Sequence, residues 1–156
     1  MAHANLPQTE ELRPLDLAYI AGFFDGEGSV TIHENCKPSP RGISPNHTLQ
    51  VSLGNTDPRV LEWIKSLFGG GISYRRVEKA NHRHVAQWTL RAASALPFLV
   101  AIRPYLRMKG DQVDVAIEYQ RTKALKGPWR VTAETVEWRE SKRQEIKRLN
   151  ARAWIA

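Results

Sequence analysis

Apolar and polar positions alternate with two different periods along the chain and divide it into helical and extended stretches. Residues from Leu15 to about Asp25 read as a helix, with Pro14 just ahead, where proline suits a first turn. In "SVTIHE", Val30 and Ile32 alternate with Ser29, Thr31 and His33, which predicts a half-buried strand. "NCKPSPRGISPN" is rich in Pro, Ser and Gly and reads as a long turn. "HTLQVSL" resumes the alternation, with Leu49, Val51 and Leu53 on one face and Thr48, Gln50 and Ser52 on the other. "TDPRVLEWIKSLFGGG" predicts a helix that Thr56 or Asp57 can cap, with Pro58 in its first turn and Gly69 to Gly71 as its stop. Its apolar face is Val60, Leu61, Ile64, Leu67 and Phe68. "ISYRRVEK" and "VAQWTL" form a second hairpin around "ANHRH", with Trp88 and Leu90 opposite Gln87 and Thr89. Three further helices follow: "SALPFLVAIRPYL", broken near Pro104; "DQVDVAIEYQRTKAL"; and the charged "TAETVEWRESKRQEIKRLN", which Thr132 can cap.

The order helix, hairpin, helix, hairpin, helices predicts an α+β fold in which two antiparallel hairpins can join into one four-stranded sheet. Residues 1–13 read as a polar N-terminal arm and residues 14–156 as a single domain, a length that suits one core. Each strand keeps an apolar face for the helices. The other face carries Thr31, His33, Gln50, Ser52, Tyr74, Arg76, Gln87 and Thr89. Side chains of this kind on a β-ribbon can read base edges in the major groove; a plain solvated sheet face has the same composition.

Charge favours the first of those readings. The chain carries 23 Lys+Arg against 16 Asp+Glu, a net charge of +7, which is the footprint of a nucleic-acid binder. No apolar run approaches the ~20 residues that span a bilayer. The N-terminus lacks a charged and then apolar secretory signal. Cys36 is the only cysteine, which excludes an internal disulfide and a cysteine zinc site. These features predict an intracellular protein with no membrane partner.

The chemistry concentrates in "LAYIAGFFDGEG", residues 17–28. Ala18, Gly22 and Gly26 are four apart and share a stripe, with Ala21 and Asp25 beside it. Such a stripe lets two helix backbones approach closely. The partner is either the same helix in a second subunit, on a two-fold axis, or another helix of this chain. The helix ends in Asp25 and Glu27, where its dipole disfavours acids. Two copies of these acids around an axis would repel unless a divalent cation joined them, Mg²⁺ being suited to carboxylates, water and phosphate oxygens. An ordinary acidic turn is the alternative.

"LAYIAGFFDGEG" resembles the signature of the LAGLIDADG homing endonucleases, and "VLEWIKSLFGGG" and "RPYLRMKGDQVDVAI" extend the resemblance over about Leu15 to Tyr119. It implies an αββαββα fold whose saddle-like sheet, with helices on one face, sits on double-stranded DNA. There is one copy of the motif, and single-motif members act as homodimers. The implied activity is site-specific, metal-dependent hydrolysis of both strands of a long, nearly palindromic target. A cleavage-inactive regulator or an RNA-splicing maturase on the same scaffold is the alternative. By the same resemblance Glu27 and the Gly26 carbonyl hold Mg²⁺, two or three ions per dimeric site, and Lys109 approaches the scissile phosphate. A glutamine the family often has near the end of its second strand falls on Leu53 by straight alignment, or on Asn55 where the strand end is shorter. Asn55 can bond water and is the candidate, with Arg59 standing for a helper arginine. The implied dimer seam is Ala18, Ala21, Gly22 and Asp25, Asp25 having a structural role. Arg76 would contact guanine, and Lys123, Lys126 and Arg130 would touch phosphates. Trp63, Trp88, Trp129, Trp138 and Trp154 are expected to pack.

Overall fold

The helix over residues 58–68 begins where its sequence dictates. Asp57 Oδ1 accepts the Arg59 N–H at 3.0 Å, and Pro58 supplies a first turn that needs no donor. Thr132 does the same for the last helix by accepting from the Thr135 N–H at 3.2 Å. The computed structural model describes residues 12–39, 42–75, 84–126 and 131–152. In chain order the elements are α1 (Pro14–Glu27), β1 (Gly28–Ser39), β2 (Gly42–Asn55), α2 (Pro58–Phe68), β3 (Gly71–Arg75), β4 (Val85–Arg91), α3 (Ala95–Ile102), α4 (Gly110–Lys126) and α5 (Ala133–Asn150). Short 3₁₀ turns, Ala92–Ser94 and Arg103–Tyr105, flank α3, the second at Pro104.

The two hairpins join through β2 and β4 into one antiparallel sheet of order β1-β2-β4-β3. The expected α+β architecture is therefore the observed one. Val30 and Ile32 of β1, Leu49, Val51 and Leu53 of β2, and Ala86, Trp88 and Leu90 of β4 bury their side chains on the helix-covered face. Phe98 of α3 centres this core, with the rings of Trp88, Phe68 and Phe24 edge-on to it at 5.0, 5.1 and 5.6 Å. The glycines after α2 do more than stop a helix. Gly70 has φ +90°, and a Cβ there would lie 2.7 Å from the Thr89 carbonyl oxygen.

One element departs from the sequence reading. "NCKPSPRGISPN" is not a long turn: β1 and β2 stay paired through it as far as Ser39 opposite Gly42. β1 is an edge strand, and β2 meets β4 only over Gln50–Asn55. Along this stretch both strands have an open side, where a proline's missing N–H costs no ladder bond.

α5 fastens the β1–β2 hairpin to the helical layer. Asn150 donates to the Val30 carbonyl at 3.0 Å, and Trp138 stacks on Tyr119 of α4 at 5.5 Å. The Tyr119 hydroxyl donates to the His47 carbonyl at 2.8 Å, and burial pushes its pKa up to about 12. Trp63, Trp88 and Trp138 pack as expected, whereas Trp129 and Trp154 lie outside the described residues. Among the described residues no helix is long and apolar enough to cross a membrane.

Candidate active site and sheet face

α1 runs two residues further than its apolar pattern, so Gly26 and Glu27 form its last turn. The chain then passes straight into β1 at Gly28, whose N–H bonds the Phe24 carbonyl. Gly28 cannot be larger, because a Cβ would meet the Phe24 ring at 2.3 Å.

The two acids of this turn have opposite surroundings. Asp25 is 7% exposed. Its carboxylate accepts the N–H groups of Arg107 at 2.8 Å, Met108 at 3.1 Å and Lys109 at 3.0 Å. Those groups lead into α4, so one carboxylate sits at the unfavourable end of α1 and the favourable end of α4. Glu27 is exposed. Lys109 closes over the end of α1, its Nζ donating to the Asp25 carbonyl at 2.6 Å and the Phe24 carbonyl at 3.1 Å. Burial pushes the Lys109 pKa down, and the charges of Asp25 and Glu27 oppose that shift. The structure thus brings Glu27, Gly26 and Lys109 to one place.

Asn55 is at the same end of β2 but committed elsewhere. It pairs with Ala86, which puts it on the core side, and its Oδ1 accepts the Asp57 N–H at 2.8 Å. That bond uses one lone pair of the amide oxygen to brace the turn into α2. Arg59 grips the Asp57 carboxylate through Nε at 2.9 Å and holds its pKa down to about 2.

The small-residue stripe divides into an open part and a buried part. Ala18, Gly22 and Gly26 are exposed, and a Cβ on either glycine would meet nothing within 4 Å. Leu15 and Tyr19 flank them, 83% and 59% exposed. Ala21 is fully buried in the chain's own core, and Asp25 is held by the 107–109 turn. Ala21 is a correction to the expected seam, since it has no surface to offer a partner, whereas Asp25 lines a depression with Ala18 and Gly22.

Residues opposite one another in an antiparallel ladder share a face. Ser29, Thr31, His33, Thr48, Gln50, Ser52, Gln87 and Thr89 all lie on the face away from the core. Thr31 Oγ1 is 3.0 Å from His33 Nε2. Ser52 is buried on this face and 2.8 Å from Ser29 Oγ. Tyr74 pairs with Ala86 and stands on the core side, a correction to its expected place among the groove-facing residues. Ser73 and Arg75 take that place, opposite Gln87 and Val85. Arg76 lies outside the described residues, as does Arg130. Lys123 is also corrected: its Nζ donates to the buried His47 carbonyl instead of facing outward.

A second group of potential ligands, Glu34, His47 and Glu140, has its atoms within 4.8 Å of one another. It lies on the core side, about 20 Å along β2 from the end of α1 at the usual strand rise. Arg143 already supplies its positive charge, with Nη1 2.8 Å from Glu140 and 3.8 Å from Glu34.

The sequence pattern of the LAGLIDADG endonuclease family matches residues 20–109, which run from α1 through Lys109. The chain belongs to the LAGLIDADG endonuclease family. Comparison with curated proteins returns no match. Solved structures of the family share the fold at low identity. The homing endonuclease I-CvuI, solved with the I-CreI target in 2 mM Mg, superposes with TM-score 0.69 at 16% identity, covering 91% of this chain and 86% of its own. The archaeal intron-encoded I-Vdi141I, complexed with DNA, gives 0.69 at 18%, covering 90% and 87%. The meganuclease I-SmaMI, bound to uncleavable DNA, gives 0.65 at 16%, covering 89% of this chain and 47% of its own.

Within this LAGLIDADG chain, sequence reasoning missed several residues of the outer face. Arg91 pairs with Gln50, and its Nε donates to Gln50 Oε1 at 3.1 Å. With His33, Asn35, Asn46, Thr48 and Gln50 it lines a polar depression. Carrying the alternation of β4 one step past Thr89 reaches Arg91. Ile72, apolar and opposite Trp88, likewise places Tyr74 two residues on at the same core side.

Proposed function

We propose that the protein is a homodimeric, divalent-metal-dependent DNA endonuclease that cuts both strands of a long, nearly palindromic site. The observation that carries this is the end of α1. There an exposed Glu27, the Gly26 carbonyl and the Lys109 ammonium meet beside an open stripe of small residues. A two-fold axis along that stripe brings two such ends together. Spanning most of I-CvuI but about half of I-SmaMI supports one copy as half of the working unit.

The donors at this end suit a hard cation, being a carboxylate and a carbonyl with no sulfur or imidazole among them. Glu27 and Gly26 would hold Mg²⁺, two or three ions across the dimer, which when bound would activate water and stabilise the leaving oxygen. An ammonium has three donors. Lys109 spends two on α1 carbonyls, and the third is available for a phosphate oxygen as charge develops on it. The outer face of the sheet, from Thr31 and His33 to Arg75, would read the major groove of each half-site.

The test is selection of duplexes from a randomised palindromic library, followed by addition of Mg²⁺ to the bound pool. Both strands should be cut, and a chelator should stop it. Tight binding with no cutting at any Mg²⁺ concentration would instead indicate a binding protein on this scaffold.

A further inference from the structure

Residues 25 and 109 hold one another twice. The Asp25 carboxylate takes the Lys109 backbone N–H at 3.0 Å, and the Lys109 ammonium takes the Asp25 backbone carbonyl at 2.6 Å. The same carboxylate takes the N–H groups of Arg107 and Met108, so the whole turn before α4 hangs from one buried side chain. The far side of the turn is braced as well. Arg103 pairs with Asp114 at 2.6 and 2.7 Å, and its guanidinium lies 3.1 Å from where a Cβ on Gly110 would be.

We infer that Asp25 is the positioning residue for Lys109, fixing the ammonium against the end of α1 beside Glu27. The inference rests on the nuclease reading for its consequence and on geometry for its substance. Leaving any of these N–H groups buried without its acceptor would be costly, so the three bonds hold the turn in place. An Asn at this position offers one acceptor oxygen, and its NH₂ opposes at least one of the three N–H groups. The turn then shifts and carries Lys109 with it.

The experiment is a double-mutant cycle on single-turnover cleavage of a selected duplex in Mg²⁺, with duplex affinity measured in parallel without Mg²⁺. Asp25→Asn should slow cleavage on the order of 100-fold, the scale of a misplacement of about 1 Å, while affinity stays within about 2-fold. In a Lys109→Met background, Asp25→Asn should add less than about 2-fold, because its effect runs through Lys109. Asp25→Glu, which keeps the charge and both oxygens, should recover part of the rate. Multiplicative effects in the double variant, or a loss of affinity equal to the loss of rate, would overturn the inference. Amide hydrogen exchange supplies a readout independent of cleavage. Arg107 to Lys109 should be protected in the wild type and in Lys109→Met but not in Asp25→Asn; equal protection in all three overturns it. A wild type that cuts no duplex refutes the nuclease reading, and the exchange measurement still decides the clasp.

Discussion

Asp25 and Glu27 show how one helix turn assigns two acids to different work. The 107–109 turn takes up Asp25, and Glu27 is left exposed at the end of the helix. Glu140 shows the same principle in the hairpin anchor. Gln144, His47 and Arg143 hold its carboxyl well below the usual carboxylate range, at about 2. A depressed carboxylate pKa stabilises the fold fully above the unfolded value and loses that contribution as pH falls through the folded one. Glu140→Gln should therefore lower stability at neutral pH, with the difference from wild type shrinking as pH falls from about 4.5 to about 2. Urea unfolding across that range checks it, and a difference independent of pH would show that Glu140 acts through packing alone.

At the scale of elements, α1 carries both the proposed seam and the exposed acid. Gly22 is exposed and has open space where a Cβ would go, which makes Gly22→Leu the substitution that tests the seam. It should raise protomer helix stability by up to about 1 kcal/mol by propensity while separating the dimer. Thermal unfolding should hold or rise as sedimentation shifts to the monomer. A Gly22→Leu protein that stays dimeric would place the seam elsewhere. On the sheet, Arg91 is preset by Gln50 in the lining of the polar depression. Arg91→Ala should relax base preference at one position per half-site by about 1–3 kcal/mol. A uniform loss across all sequences would make Arg91 a phosphate contact.

Element types were legible wherever chemistry is local. The caps Asp57 and Thr132 and the break at Pro104 act on their own neighbours. The length of the β1–β2 hairpin was not, because tolerance of proline depends on which edges other strands leave open. Glu27 and Lys109 were found by resemblance, and the geometry joins them. A structural role for Asp25 is expected, but its partners were out of reach, since its donors lie 82 to 84 residues further along the chain. Straight alignment points to Leu53, which is core, and Asn55 is the candidate because its amide can bond water. Its oxygen also accepts the Asp57 N–H, a contact that only the turn geometry reveals.

At the scale of the whole molecule, a net charge of +7, a polar sheet face and an acidic helix end divide the labour. In the proposed function, basic residues draw the protein to any duplex through salt-dependent contacts, the sheet face selects among sequences, and the acids act where the phosphate backbone reaches the two-fold axis. Charge that attracts and charge that cuts are thus kept apart, which predicts that they can be separated by a single isosteric change. The direct measurement is single-turnover cleavage of a selected duplex by wild type and Glu27→Gln in Mg²⁺, with affinity measured alongside. The account predicts duplex affinity within about 3-fold of wild type and cleavage reduced by at least ~100-fold, the scale of losing one group that stabilises developing charge. Glu27→Gln protein that cuts both strands at the wild-type rate would contradict it.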